Sequence, residues 1–352
     1  MLFNVAIVLL SVFLVVFFVF SQDGILDFIR YHRRNHVELF ARWIVFAVFL
    51  NLFNIFLDGV ILYLFTKNAC PEIKFRQAIH VGLTGQFYCA VTPGASGGQP
   101  MQILAFSRMG IDAGGGTSAL VQKFLVWQFV LCSYSIVAVA KARLHVLPLS
   151  AVPVIIGFAA QIGMIVLLLM ASLNQKLTTK VAFFFCDLGA KIHLLHNVEQ
   201  KKESVNRLLT SFHDNNRRLT GHVPLLVKTF FLTFLQMTAY FMVPYSIARA
   251  FGAHYNLFDM LCAQALVSMV SGLVPLPGAS GVTEYCFSVF FTAYFTPWMM
   301  KSAILIWRTI VYYGTIAITA PFAGLSKRKR SNNVEKGTDV PKPEQDHSEE
   351  NV

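Results

Sequence analysis

The sequence predicts an all-α polytopic membrane protein with about six full spans and two re-entrant hairpins of broken helix. Three observations predict this class. The chain is 55% hydrophobic and only 13% charged, whereas a soluble domain carries roughly 25% charged residues. Six apolar stretches approach or exceed the roughly 20 residues that a span needs. Two further apolar stretches contain the same Pro-Gly interruption.

Full spans are predicted where about 20 apolar residues follow one another with few charges. They lie at about 3–21, 41–66, 117–140, 149–173, 223–249 and 301–323. The first stretch lacks a basic n-region and a small-residue cleavage site, so we expect a retained span rather than a signal peptide. A transmembrane domain is therefore expected over 1–325, and a polar, disordered tail over 326–352.

The motif PGASG occurs twice, at 93–97 and at 277–281. Proline lacks the backbone donor and glycine lowers helix propensity, so a helix is expected to stop at each copy. In lipid, such a break survives only where protein or water satisfies the freed backbone groups. We therefore predict that the apolar stretches at about 76–108 and 257–296 are helical hairpins that enter the membrane and return to the same side.

The order span, broken hairpin, span occurs twice, over about 39–140 (repeat one) and about 222–323 (repeat two). One extra span separates the repeats, so an odd number of crossings lies between their first spans. The repeats are therefore expected to run in opposite directions, which is the inverted-repeat arrangement of secondary transporters. Chance similarity of two glycine-rich loops is the alternative, which five identical residues in register disfavour.

Positive charge is concentrated in the hydrophilic segments, and the formal net charge is +11. The basic loop 174–221 and the run 327–330 predict a cytoplasmic C-terminus in the plasma membrane, beside an anionic lipid surface. We expect no nucleic-acid partner. The basic loop at 30–34 falls outside in this topology. A fully inverted topology and an interfacial helix over 23–38 therefore remain alternatives.

Two charged residues of repeat two are predicted to build a binding site. Glu284 lies in the first turn of the returning half-helix, where the helix dipole favours negative charge. Arg308 lies near the middle of the last span and needs a partner. Glu284 is the obvious candidate, and a lipid phosphate is the other. A role for Glu284 as a helix cap alone is the alternative.

Repeat one carries different residues at the equivalent places. Gln99 follows the first motif as a neutral donor and acceptor, and Lys123 lies almost where Arg308 lies in repeat two. Snorkelling of Lys123 to the interface is the alternative. Asp58 belongs to a polar stripe with Asn51 and Asn54, for which packing between helices is the favoured interpretation.

Together these features predict one site near the midplane, where two half-helix N-termini bind an anion through free amides. The candidate substrate-path residues are Pro93, Gly94, Ser96, Gly97, Gln99, Pro277, Gly278, Ser280, Gly281, Glu284 and Arg308, supported by Lys123, Asp58 and Tyr312. A fixed positive charge beside a titratable carboxylate suits a phosphate-bearing headgroup. We expect no metal, because the six cysteines are scattered without Cys/His ligand spacing. We also expect no catalytic residue and no cofactor, since the sequence has no DxD, HxxxD or HExxH motif.

The paired PGASG motifs, the pattern Pro-x-Pro-Gly-x-x-Gly before Glu284, and Trp307-Arg308 with Tyr312 downstream resemble the flippase-like integral-membrane family. This family includes the membrane domain of lysylphosphatidylglycerol synthase (the multiple peptide resistance factor) and the archaeal dolichol-linked sugar protein AglD. The resemblance covers about 1–325. It implies that the chain moves a lipid between leaflets. We expect a phosphate-bearing lipid, and aminoacylated and glycosylated lipids are the candidates. A homo-oligomer and a separate synthase are the candidate protein partners.

Two other functions remain open. The first is a membrane-embedded lipid-modifying enzyme of the phosphatidylglycerol lysyltransferase type. In the family, aminoacyl transfer belongs to a soluble C-terminal domain, and about 30 residues after the last span leave no room for one, so we lean against enzymatic activity. The second is a non-transporting scaffold. A scaffold would not need two helix breaks, each of which is costly if its backbone groups are unsatisfied.

Overall fold

The structure, a computed structural model, describes residues 40–142, 151–191, 198–272, 279 and 281–324, and is all α-helical in type over them. By length and composition, five helical segments can cross a membrane: Ala41–Ala69, Ala113–Lys141, Val152–Leu173, Val223–Ala250 and Met299–Phe322. These segments confirm five of the six predicted spans. The remaining prediction, at about 3–21, lies outside the described residues, as does the predicted tail over 326–352.

Repeat one consists of a span, a broken hairpin and a second span. Its elements are α1 (Ala41–Ala69), α2 (Phe75–Val91), a 3₁₀ turn (Pro93–Ala95), α3 (Gly98–Arg108) and α4 (Ala113–Ala142). The predicted helix break is confirmed and has a local cause. Thr92 precedes a proline, which disfavours helical backbone, and it is extended at φ −105° and ψ 148°.

The connection between the repeats is also helical. It consists of α5 (Ala151–Leu173), α6 (Gln175–Lys191) and α7 (Val198–Gly221). The segment predicted only as a basic loop therefore contains two helices. Leu219 explains how the polar helix α7 is held, since it is fully buried in an apolar cluster with Phe65 of α1 and Ala119 of α4.

Repeat two also begins and ends with a segment long enough to span, but its spans are divided into shorter elements. It consists of α8 (Val223–Phe241), α9 (Val243–Ala250), α10 (Leu257–Ser271), α11 (Val282–Phe290), α12 (Pro297–Arg308), a π-helical segment (Thr309–Tyr313), α13 (Gly314–Thr319) and a 3₁₀ turn (Ala320–Phe322). At the second predicted break, α10 ends at Ser271, and α11 begins at Val282 after Gly281 with a φ of 86°. The π segment directly follows Arg308, and such segments are frequent at functional sites.

The two motifs share an unusual backbone conformation. Ala95 and Ala279 occupy the third position of each motif, and their φ values are 55° and 47°. A left-handed conformation is uncommon for any residue with a side chain. Its occurrence at the same position in both copies supports their equivalence. The opposite orientation of the two repeats stays a prediction.

Two large apolar clusters among the described residues position the helices around the polar residues between the repeats. One cluster is formed mostly by repeat two, with Phe287, Phe291 and Trp307 at its centre. The other joins α1 and α4 to α7, α8 and α10. Helix α1 packs against both α4 and α8. The polar residues of α1 therefore lie between the last span of repeat one and the first span of repeat two.

Replacing Gly98 with valine is expected to destabilise the folded protein, because Gly98 lies at the closely packed first helix break. A Cβ at this position would overlap Cys89 Sγ and lie 3.1 Å from the carbonyl oxygen of Gly85. Overpacking of this kind costs about 1–3 kcal/mol. The matched control is Gly163→Val on α5, where a Cβ meets nothing within 4 Å. The midpoint of thermal unfolding in detergent micelles is compared for the two variants. Equal midpoints would show that the close approach at Gly98 is not required.

Candidate functional site

A cavity of about 540 Å³ lies between the two repeats, a size within the usual range of ligand-binding sites. Both helix breaks contribute to its wall. The contributions of the first break are Gly94, Ala95 and Gln99, and those of the second are Gly272, Ala279 and Thr283. The structure therefore brings two breaks that are far apart in the sequence to one cavity.

Arg308 and Glu284 form an ion pair at this cavity. Arg308 Nε lies 2.7 Å from Glu284 Oε1, and the guanidinium carbon lies 5.3 Å from the centre of the Tyr312 ring. The backbone N–H of Gly281 donates to Glu284 Oε2 at 2.6 Å. Glu284 thus caps the N-terminus of α11 with one oxygen and binds Arg308 with the other. The pairing and the capping that the sequence suggested are both present.

Asp58 and Lys123 form a second ion pair, between α1 and α4. Lys123 Nζ lies 2.7 Å from Asp58 Oδ1, and the two side chains are 16% and 14% exposed. Gln236 of α8 also donates to Asp58 Oδ1, at 3.5 Å. Because all three residues line the cavity, Lys123 points inward, and the snorkelling alternative does not describe it. Asp58 joins helices, as the packing interpretation predicts, but at the cavity wall.

The remaining candidates of the first motif support the turn. Ser96 Oγ donates to the carbonyl of Pro93 at 2.8 Å, and the N–H of Gly97 donates to Thr92 Oγ1 at 2.9 Å. These contacts fix the path of the chain between α2 and α3, while Gly94 reaches the cavity.

In the second motif, Pro277, Gly278 and Ser280 lie outside the described residues. Gly281 holds Glu284 through its backbone N–H. Tyr312 lines the cavity and donates its hydroxyl to the carbonyl of Ala90 at 3.1 Å. Tyr312 therefore connects the last span of repeat two with the hairpin of repeat one.

Several lining residues were missed by the sequence analysis. Gln86, Gln102, Gln264 and Ser268 all line the cavity but belong to no motif. A signal was available for Gln264, since an amide inside a long apolar run is expensive to bury without partners. Gln264 is in fact 0% exposed. Neither its amide nitrogen nor its amide oxygen has a hydrogen-bond partner among the described residues.

Helix α7 is fastened to the transmembrane helices close to the cavity. Gln122, the neighbour of Lys123, donates to Asn216 Oδ1 at 2.6 Å, and Asn216 donates to the carbonyl of Ser172 at 2.9 Å. Burial lowers the pKa of His213 on the same helix, which favours a neutral imidazole at neutral pH. These contacts make α7 part of the packed structure rather than a free loop.

The fold and the cavity define a polytopic α-helical integral membrane protein with interrupted helices at a polar site. The chain matches the family model described as "Lysylphosphatidylglycerol synthase TM region" over residues 1–319, and it belongs to this family. A curated relative from Archaeoglobus fulgidus, described as a "UPF0104 membrane protein", is 24% identical over 254 residues. That alignment covers 70% of this chain and 74% of the relative. No solved structure matches the chain.

Proposed function

We propose that this protein moves a phosphate-bearing lipid between the two leaflets of the plasma membrane, with its C-terminus in the cytoplasm. The observation that carries the proposal is the single cavity that both helix breaks line. Interrupted helices in the two halves of a membrane protein are typical of transporter binding sites. Membership of a family named for the membrane region of a lipid synthase supports a lipid as the transported molecule.

Arg308 is the residue that recognises the phosphate in this proposal. Its guanidinium matches an oxyanion with fixed, fork-like donors, and it is only 7% exposed. Glu284 already occupies this position as an oxyanion 2.7 Å away. A lipid phosphate can therefore replace Glu284 without leaving the guanidinium unpaired, which would be the expensive outcome. The displaced carboxylate keeps its hydrogen bond from the N–H of Gly281.

The two half-helices add a weaker attraction for the same group. Helices α3 and α11 begin at the two breaks, and a helix N-terminus favours anions through free amides and the helix dipole. Pro100 removes one donor from the first turn of α3, and the backbone N–H of Gly98 already faces the Cys89 thiol, so Gln99 supplies the backbone donor of this turn. The side chain of Gln99 lines the cavity and offers a further donor.

Reconstitution into liposomes tests the proposed function. Tail-labelled fluorescent phosphatidylglycerol and phosphatidylethanolamine are incorporated, and dithionite quenching measures how fast the inner-leaflet lipid becomes accessible. We expect the protein to accelerate this exchange for the phospholipids, with the lipids chemically unchanged by chromatography. A labelled ceramide, which lacks the phosphate, is the control substrate. Exchange no faster than in protein-free liposomes would contradict the proposal, and a chemically altered lipid would indicate an enzyme.

A further inference from the structure

The cavity wall offers mostly neutral hydrogen-bonding groups rather than charges. Its charged lining residues are Asp58, Lys123 and Arg308, and each is engaged in an ion pair. Amide side chains line it from five helices, among them Asn51, Asn54, Gln86, Gln99, Gln236 and Gln264. A headgroup in this cavity therefore meets more amide surface than free charge.

Part of this polar lining has no hydrogen-bond partner among the residues that the structure describes. Gln264 is fully buried, and Trp307 is 2% exposed. Both amide atoms of Gln264, the indole nitrogen of Trp307 and Ser268 Oγ lack hydrogen-bond partners among the described residues. All three residues line the same cavity, and Ser268 follows Gln264 by one helical turn on α10. A buried polar group without a partner is costly, so a ligand that satisfies several of them binds more tightly.

Aromatic rings line the same cavity. Phe124 and Trp127 of α4 both line the cavity, and their rings are stacked at 5.9 Å with an interplanar angle of 7°. Tyr240 of α8 and Phe241 line it as well. Aromatic faces pack favourably against the C–H groups of a carbon skeleton. Amides next to aromatic faces therefore suit a ligand with both hydroxyl groups and C–H faces.

We propose that Gln264, Ser268 and Trp307 form a second subsite, which binds the neutral, hydroxyl-bearing part of a lipid headgroup, a sugar or another polyol. This inference rests on the proposed function and names the class of its substrate. A hydroxyl both donates and accepts, so it satisfies the Gln264 amide oxygen as a donor and the Trp307 N–H as an acceptor. An ammonium group only donates, and it leaves the Trp307 N–H and the Gln264 NH₂ group without acceptors.

The test compares three tail-labelled lipids in liposomes. Phosphatidylinositol carries phosphate and polyol, diglucosyl diacylglycerol carries polyol alone, and phosphatidylethanolamine carries phosphate and ammonium. We expect the wild-type protein to exchange phosphatidylinositol roughly ten times faster than phosphatidylethanolamine, since one hydrogen bond to a matched group is worth about a decade. If the diglucosyl lipid exchanges as fast as phosphatidylinositol, a polyol headgroup is sufficient. If it exchanges slowly, the phosphate is needed as well. Both results support the subsite.

The variant Gln264→Met removes the amide at nearly constant side-chain length. We expect it to lose most of the preference for phosphatidylinositol over phosphatidylethanolamine. Its thermal stability should be unchanged or higher, because an unpartnered buried amide has been removed. The matched control is Gln161→Met on α5. Gln161 is 6% exposed and also has an unpartnered amide oxygen among the described residues, but it is not part of the cavity wall.

Binding is measured separately, so that the subsite and the proposed function can fail independently. Inositol 1-phosphate should raise the midpoint of thermal unfolding more than phosphoethanolamine does, and Gln264→Met should abolish the difference. If this binding preference is found but the protein exchanges no lipid, the subsite is supported and only the transport proposal is contradicted. Equal effects of the two headgroups on the wild-type protein would overturn the subsite. A preference for phosphatidylinositol that survives in Gln264→Met would overturn it too.

Discussion

Replacing Arg308 with alanine is expected to slow lipid exchange in liposomes by roughly 10- to 150-fold. A hydrogen bond to a charged group contributes about 1.5–3 kcal/mol, and every 1.4 kcal/mol corresponds to a factor of ten. Arg308 is a cation at the cavity with a fork of planar donors, and its partner Glu284 is an oxyanion that a phosphate can replace. Its loss removes the phosphate contact, and Glu284 keeps the hydrogen bond from the N–H of Gly281.

Two further variants show whether the effect belongs to the guanidinium at this position. Arg308→Lys keeps the charge but loses the planar fork, so it should retain part of the activity. Arg217→Ala removes an exposed arginine of α7 outside the cavity wall and should exchange lipid at the wild-type rate. After size-exclusion chromatography confirms that the three variants are folded, dithionite quenching measures their rates of lipid exchange. Wild-type exchange by a folded Arg308→Ala protein would remove Arg308 from the transport path.

Replacing Asp58 with alanine is expected to lower the free energy of unfolding by about 3 kcal/mol. The substitution leaves Lys123 without its carboxylate at a largely buried position, and an uncompensated buried charge is strongly destabilising. The double variant Asp58→Leu with Lys123→Met should regain most of this loss. Apolar groups of similar volume often replace a buried ion pair without cost.

Denaturant titration in micelles compares the single and double variants. The double variant should be close to the wild type in stability, while its lipid exchange reports whether the pair also serves transport. A single variant as stable as the wild type would show that water in the cavity solvates Lys123 well enough. A double variant as unstable as Asp58→Ala would indicate that the pair fixes the arrangement of α1 and α4 in a way that apolar packing does not reproduce.

Length and composition were sufficient to predict five spans within the described residues, and the first Pro-Gly motif was sufficient to predict the interruption between α2 and α3. Helix α7 was missed because its average composition is polar. Its apolar residues recur on one face instead, as with Phe212 and Leu219, which are seven residues apart and both buried. A loop interpretation based on charge alone overlooks such a stripe, because only its periodicity distinguishes it from a solvated segment.

The charged residues of the site could be predicted from the sequence more readily than its neutral polar residues. The Glu284–Arg308 pair could be anticipated because each charge lies where lipid cannot solvate it, so each requires a partner. Lys123 was harder, since a lysine near a helix end can also reach the interface. Gln264 and Ser268 gave the weakest signal, because neutral polar residues are common as packing contacts between membrane helices. Only their place at the cavity distinguishes them.

The central claim is that a lipid headgroup passes through the cavity between the two helix breaks. Photo-crosslinking tests it most directly, with a phospholipid that carries a diazirine on its headgroup and adducts mapped by mass spectrometry. The account predicts adducts between Gly94 and Gln99 and between Gly281 and Glu284, and fewer of them in Arg308→Ala. Adducts confined to the lipid-facing helix α5, with none at either break, would contradict it.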